Sequence, residues 1–391
     1  MAHSMHVAVL VETSTSWGAK VVRGIAEYAH EHRFWSIFIE PWGVNERLRL
    51  PKGWHGDGII ARVTSSRLLR EIEALHVPCV NISWSEVPGS RLPRVIPDEE
   101  AVGRIAADHL LDRGFRRFAY LGLSNQPYYV DRCGPAFAAS LAARGMSCKS
   151  YQPSSFSGSG RRRSGAFANL GEWLRSLPKP VGLLTWDSVR GRLVADACAL
   201  AGLRIPEEVG VISGYNDDLM CEIAIPPLSC VDHSPQHIGK EAAALLNRLI
   251  QGDAAPSQPV LIPPVRVIAR RSTDALVIED RLVAQALRFI RQHAHESISV
   301  DDVLKVVPCS RRTLEQRFAS VLGRSPAAEI RRIHIEHAME LLAKTDLSIS
   351  RVAAASGFNY TEVMGRIFRE TVGVTPARYR REFRVPESKE S

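Results

Sequence analysis

Residues 299–323 read S-V-D-D-V-L-K-V-V-P-C-S-R-R-T-L-E-Q-R-F-A-S-V-L-G, and residues 348–373 read S-I-S-R-V-A-A-A-S-G-F-N-Y-T-E-V-M-G-R-I-F-R-E-T-V-G. One pattern occurs twice. In the first stretch Ser299 and Asp302 form an S-x-x-D box, which satisfies free N–H groups at a helix start. Val300, Val303, Leu304 and Val307 follow the i, i+3, i+4, i+7 spacing of a buried helix face. Pro308-Cys309-Ser310 breaks that helix, and Ser310 is placed to cap the next one. The next helix buries Leu314, Phe318, Val321 and Leu322, and Gly323 supplies a left-handed stop. Its opposite face carries Arg312, Glu315 and Gln316, flanked by Arg311 and Arg317.

The second stretch repeats this. Ile349, Val352 and Ala353 mark a short supporting helix, and Gly357-Phe358 makes the turn. Asn359 and Glu362 are spaced as a second capping box. Met364, Ile367 and Phe368 face inward; Glu362, Gly365, Arg366 and Arg369 face outward, with Thr361 near that edge. A short helix supporting a second helix with a polar, basic outer face is the geometry that enters a DNA major groove. Between the copies, Ser325-Pro326 opens a helix in the favoured cap arrangement, and its pattern extends to about Lys344. At 1.5 Å per residue it spans about 28 Å. Successive major grooves on one DNA face are about 34 Å apart. A plain helical bundle remains the bland alternative for one copy; two copies joined by a capped connector favour DNA.

These residues resemble the AraC-type DNA-binding domain. The closing G-x-T-P-x-x-Y-R of that family is matched by Gly373, Thr375, Pro376, Tyr379 and Arg380. The family's usual aromatic before the final Phe is Met364 here, which still fills a core position. The resemblance implies base contacts from Arg312, Glu315 and Gln316 in the first copy and from Thr361, Glu362 and Arg366 in the second. Arg311, Arg317 and Arg369 would then sit on phosphates, which set affinity and register.

The preceding ~270 residues have another character. Short apolar runs recur at His6–Val11, Ser36–Ile39, Gly58–Ala61, Cys79–Ile82, Phe118–Gly122, Val181–Thr185, Val209–Ile212, Leu228–Val231 and Val260–Ile262. Amphipathic stretches such as Lys20–His30 and Glu99–Leu111 lie between them. This alternation predicts an α/β domain with parallel sheets. Val87–Pro97, Pro153–Gly165 and Gly252–Pro259 read as loops. The triple Arg161–Arg163 reads as a solvated charge run, with a phosphate contact as the alternative.

The quoted order I-P-D-E-E-A-V-G-R-I-A-A-D-H-L-L-D-R-G-F-R-R-F-A-Y-L-G (96–122), R-C-G-P-A-F-A-A-S-L-A-A-R-G (132–145), L-L-T-W-D (183–187), V-G-V-I-S-G-Y-N-D-D (209–218) and P-P-L-S-C-V (226–231) resembles the effector domain of the lactose/galactose repressor family. That resemblance implies a two-lobed, periplasmic-binding-protein-like fold of doubly wound parallel sheets. Ligands bind such folds at strand ends facing a cleft. No helix-turn-helix precedes this domain, and an AraC-type domain follows it. This order, with L-I-P-P-V-R-V-I-A-R-R-S-T-D (261–274) at the junction, resembles bacterial pentose-operon regulators. The expected boundaries are an effector domain over 1–275 (lobe 1 about 1–112 plus 232–262, lobe 2 about 113–231), a linker over 276–285, the DNA-binding domain over 286–385 and a tail over 386–391.

A sugar pocket needs planar polar groups for paired hydrogen bonds and an aromatic for the ring face. The strand-end candidates are Thr13, Ser14, Trp17, Trp84, Arg132, Trp186, Asp187, Asn216 and Asp217. Arg132 matches the family's sugar-clamping arginine, and Asn216 stands where the family usually has a carboxylate. Each has an alternative: core aromatics for the three Trp, a helix cap for Asp187, an interlobe salt bridge for Arg132, and turn formation for Asn216 and Asp217.

Length and composition bound these readings. The chain has 391 residues, 45% hydrophobic and 24% charged, which fits two or three globular domains and excludes wholesale disorder. Half of the net charge of +8 falls after residue 275, so the shorter C-terminal part is the more densely basic. The seven cysteines include no C-x-x-C pair, so buried free thiols are expected, with no disulfide framework or zinc module. The first apolar run breaks at Glu12 and lacks a basic leader, which predicts a cytoplasmic protein. No G-x-S-x-G, Walker A or H-E-x-x-H motif occurs. The pairs His233/His237 and His334/His337 lack an evident third metal ligand. The expectation is therefore a non-enzymatic regulator without cofactor or membrane association. The resemblance implies a small sugar effector (a pentose, D-xylose foremost), promoter DNA, RNA polymerase and a homodimer. The alternative is a sugar-binding or sugar-processing protein whose helical tail only dimerises.

Overall fold

The computed structural model describes residues 4–383 except 33–34, 44–45, 124–126, 153–160, 275–277 and 279; for 161–167 and 382 it describes the backbone alone. The contacts divide the chain into an α/β unit (1–110 with 115–275) and a helical unit (111–114 with 276–391).

The α/β unit begins with β1 (Met5–Leu10), α1 (Ser16–His32), β2 (Trp35–Ile39), β3 (Gly58–Ala61), α2 (Ser66–Glu73), β4 (Cys79–Asn81) and β5 (Val95–Pro97). It continues with α3 (Glu99–Asp112), β6 (Phe118–Leu121), α4 (Cys133–Ala142), β7 (Cys148–Tyr151), α5 (Arg161–Ser176), β8 (Val181–Thr185), α6 (Ser188–Ala201) and β9 (Val209–Ser213). It closes with α7 (Asp218–Glu222), β10 (Ser229–Asp232), α8 (Pro235–Ile250), β11 (Val260–Ile262) and β12 (Arg266–Ile268). One sheet has the order β2-β1-β3-β4, all parallel. The other has the order β12-β10-β9-β8-β6-β7, parallel except that β12 runs antiparallel to β10. The crossovers reverse direction between β1 and β3 in the first sheet and between β6 and β8 in the second. Loops at such switch points open into a crevice beyond the strand ends.

Both sheets are covered on two faces, so their strands read as unbroken apolar runs. Along β1, Val7 and Val9 face the core shared with α1 and α8, whereas Ala8 and Leu10 face Leu68, Leu69 and Ile72 of α2. Helices α1 and α8 touch through glycines. A Cβ on Gly24 would lie 1.9 Å from the Gln236 carbonyl oxygen, and one on Gly239 would lie 2.0 Å from that of Val21.

Several sequence boundaries shift. The expected lobe 1, about 1–112, includes helix α3. Instead Gly103 lies against the Cys133 carbonyl of α4, and Leu110 packs at Gly182 of β8, so the second lobe starts near residue 98. The supposed loop 87–97 ends in β5, which pairs with β11. The predicted loop 153–165 gives way to α5 from Arg161; residues 153–160 and the side chains of Arg161–Arg163 lie outside the described residues. Strand β7 has Lys149 and Ser150 at its centre, and β12 is three residues long and opens on Arg266, so neither stands out as an apolar run.

The helical unit contains α9 (Arg281–Gln292), α10 (Val300–Val306), α11 (Arg311–Leu322), α12 (Pro326–Lys344), α13 (Ile349–Ala355), α14 (Thr361–Val372) and α15 (Pro376–Phe383). The expected linker 276–285 is overrun by α9. Asp280 caps this helix, and its Val283, Ala286, Leu287 and Ile290 share a core with Val303, Leu314, Phe318, Ile330 and Ile333. The expected tail 386–391 lies outside the described residues. The connector α12 is 19 residues long, starts at Pro326 under a Ser325 cap, and buries residues along its whole length from Ile330 to Ala343.

Candidate functional site

In the α/β unit, loops after the strand ends bring the three tryptophans of the sequence reading together. Trp17 stands on α1, Trp84 follows β4 and Trp186 follows β8. Trp84 lies edge-on to Trp17 at 5.9 Å and to Trp186 at 5.3 Å between ring centroids. Tyr215 and Tyr129 complete the cluster, 4.8 Å and 5.5 Å from Trp186. Arg62, directly after β3, stacks over Trp84 at 4.6 Å and pairs with Glu12, two residues past β1, at 2.8 Å. Glu99 is buried and accepts from the phenols of Tyr215 (2.7 Å) and Tyr129 (3.0 Å). Burial raises its pKa against the opposing pull of those two hydroxyls. His233, edge-on to Tyr215 at 4.5 Å, is held neutral by burial, which takes its pKa down to about 4.

Glu12 Oε2, Glu99 Oε2, Arg62 Nε and Trp17 Nε1 are buried without a hydrogen-bond partner among the described residues. Buried polar atoms rarely stay unpaired. Two acceptors and two donors beside a set of aromatic faces match a polyol, whose hydroxyls both donate and accept.

The other sequence candidates are engaged differently. Thr13 accepts from the Trp42 N–H (3.0 Å), and the Ser14 N–H donates to the Trp42 carbonyl (3.2 Å), so both hold their own loop. Asp187 caps α6, accepting from the Arg190 N–H (2.8 Å) and guanidinium (2.7 Å), as its alternative reading had it. Asn216 donates to Asp218 (2.6 Å) and accepts from the Cys230 thiol (3.1 Å). Arg132 pairs with Glu86 at 2.5 Å, across the lobes. Asp217 caps α7 and also accepts from the Ser16 N–H at 3.3 Å; Ser16 Oγ accepts from the Asp218 N–H at 3.1 Å. Lys20 pairs with Asp218 at 2.5 Å. These bonds tie one lobe to the other. Arg132 holds the Glu86 carboxyl below its usual range, and Lys20 does the same for Asp218 against the penalty of burial.

Sequence reasoning missed Glu12, Lys20, Arg62, Glu86, Glu99, Tyr129, Tyr215 and Asp218. Glu12 and Arg62 carried a signal, because each is the first charged residue after an apolar strand.

In the helical unit, α11 presents Arg311, Arg312, Glu315, Gln316 and Arg317 to solvent, and α14 presents Glu362, Arg366 and Arg369, with Thr361 half-buried. Arg311 pairs with Asp301 (2.7 Å) and Arg317 with Asp280 (2.8 Å). Arg312, Arg366 and Arg369 have no ion-pair partner among the described residues. Ser310 caps α11, accepting from the Thr313 N–H at 3.2 Å. The expected Asn359/Glu362 box does not form. Helix α14 starts one residue later than that box requires, and Tyr360 takes the cap position without a side-chain bond. Forgoing a cap costs a helix about 1 kcal/mol. Gly365, mid-helix, has nothing within 4 Å of where a Cβ would stand and costs about another 1 kcal/mol in propensity.

The architecture and these two surfaces define a class: a transcriptional regulator with a two-lobed ligand-binding domain and a helix-turn-helix domain. Residues 6–97 match the XylR N-terminal domain family, 107–273 the periplasmic binding protein-like domain family, and 303–382 the helix-turn-helix domain family. The xylose operon regulatory protein of Escherichia coli is 31% identical over 380 residues, 96% of each chain. That of Haemophilus influenzae is 27% identical over 381 residues, 96% of this chain and 97% of the relative. A solved structure titled xylose-binding transcription activator xylR superposes with a TM-score of 0.63 at 30% identity, covering 98% of this chain and 100% of its own. A periplasmic binding protein/LacI regulator of Alkaliphilus metalliredigens shares the fold of the α/β unit, at a TM-score of 0.52 and 16% identity. The chain belongs to the xylose operon regulatory protein family.

Proposed function

We propose that the chain is a cytoplasmic, pentose-responsive activator of sugar-use genes, with D-xylose the first effector to test. The observation that supports this most is the set of four unpartnered buried atoms around the Trp17–Trp84–Trp186 cluster. Glu12 and Glu99 accept hydrogen bonds from sugar hydroxyls, Arg62 and Trp17 donate to them, and an indole covers the apolar ring face. Arg132, Asp187, Asn216 and Asp217 then act mainly by shaping the rim and holding the lobes closed. A sugar shifts the population only as far as it binds the closed form better than the open one. Closure in a homodimer sets four recognition helices on two half-sites, where the protein recruits RNA polymerase. Arg312, Glu315, Gln316, Thr361, Glu362 and Arg366 meet bases; Arg311, Arg317 and Arg369 meet phosphates. Its relatives are transcriptional regulators, and no catalytic step is proposed.

Calorimetry and thermal shift over pentoses and hexoses test the effector. D-xylose should bind and raise the melting temperature, because a ligand that binds only the native state stabilises it. Glu12→Gln and Arg62→Ala should weaken that binding at least tenfold. Unchanged affinity in both variants would move the sugar out of this cluster.

A further inference from the structure

Among the described residues of the helical unit, the most exposed large apolar side chains are Val306, Tyr360 (68% accessible) and Val363 (37%). Val363 lies on the first turn of α14, and Tyr360 holds the cap position just before it. Tyr360 has extended backbone (φ −135°, ψ 134°), so the two exposed apolar side chains flank the start of the helix. Glu362, Arg366 and Arg369 are exposed beside them, and Arg366 is one turn beyond Val363. This apolar pair therefore interrupts a charged face, and one of its members displaces a cap. The equivalent start of α11 keeps its serine cap and carries Arg311 and Arg312 where α14 carries Thr361 and Glu362. The partner that fits an apolar pair embedded in arginines is a duplex major groove. There each thymine offers a C5-methyl group, the one apolar patch among hydrogen-bonding base edges.

We propose that Tyr360 and Val363 read a thymine methyl group next to the base pair met by Arg366, a specificity contact that rests on the reading of α14 as a base-contacting helix. Contact with a methyl needs no hydrogen bond, so a bulky ring and a β-branched side chain suffice. The open space at Gly365 lets the helix come close enough for contact.

The test uses the full-length protein with D-xylose present. Its preferred duplex is selected from a random DNA pool, and each thymine is then replaced singly by deoxyuridine, which removes only the methyl. One replacement should weaken binding about fourfold, the worth of one buried methyl group. Tyr360→Ser and Val363→Ala should bind the thymine and uracil duplexes equally. Tyr360→Ser should also raise the melting temperature by restoring a cap, so its lost discrimination cannot come from misfolding. If every uracil duplex binds wild type as tightly as its parent, or the variants keep the wild-type ratio, the proposal is wrong. Arg366→Ala checks the reading beneath it by changing preference at a single base pair. If it weakens all duplexes equally, α14 does not read bases and the thymine contact falls with that reading. If it changes preference while no methyl matters, only the thymine contact is wrong.

Discussion

Glu329, beside the first helix-turn-helix copy, is fully buried between Arg324 and Arg332, whereas the turn of the second copy rests on an imidazole. There Gly357, at φ +78°, leaves no room for a Cβ, which would meet the Glu296 carbonyl at 2.5 Å and the His334 ring at 2.6 Å. The first copy has further ion pairs at Arg311 and Arg317. The second is held by Val352, Phe358, Met364, Phe368 and Tyr379, all buried, with Tyr379 edge-on to Phe368 at 5.4 Å. Both copies have an apolar core, that of the first built on Val303, Leu314 and Phe318, and the first adds ion pairs to it. The copy with ion pairs has spent two of its arginines on its own fold, while the second leaves Arg366 and Arg369 unpaired.

The largest break in this comparison should come from Glu329→Leu. It removes one of the two carboxylates, Glu329 and Asp112, that the partly buried Arg324 and Arg332 guanidiniums share, and should cost about 3 kcal/mol in urea unfolding of the helical unit. A loss below about 1 kcal/mol would mean that these ion pairs add little to the apolar packing both copies share.

A smaller effect separates the copies by pH. Burial lowers the pKa of His334, against a backbone bond to Glu296 that raises it. Its contribution is complete above the unfolded value of about 6.5 and fades as pH falls through it. Glu329 behaves otherwise. Burial would raise its pKa, but Arg332 and Arg324 overcome this and hold it at about 2. Its contribution persists until pH falls below about 4.3, the ordinary glutamate value, and is lost on the way to 2. Between pH 7 and 5, amide protection, measured against the intrinsic exchange rate at each pH, should therefore fall in α13 and α14 before it does in α11. The reverse order would contradict the assignment of forces.

The same contrast explains what was legible in the sequence. The spacing of Val300, Val303, Leu314 and Phe318 reports local helix periodicity, so both copies and the 19-residue connector could be read directly. The second cap could not. Asn359 has the right type for a cap, but tertiary packing at Gly357 and Phe358 starts the helix a residue later. Most parallel strands were visible as apolar runs, whereas β12, antiparallel at the sheet edge, was not. In the cleft, the tryptophans were found by their places after strands. Glu12 and Arg62 are fifty residues apart, and their pairing follows from the β1–β3 neighbour relation, which no local pattern encodes. Glu99 lay inside a stretch quoted for family likeness, yet nothing in its local pattern says that two tyrosine hydroxyls converge on it.

On the proposed function, sugar bound at the tryptophan cluster governs how the helical domain binds DNA. The most direct measurement is the affinity for the selected duplex, by fluorescence anisotropy, with and without saturating D-xylose, in wild type and in Glu12→Gln. The account predicts at least fivefold tighter binding with sugar in wild type and no change in the variant. Sugar that binds by calorimetry while leaving DNA affinity the same would contradict it.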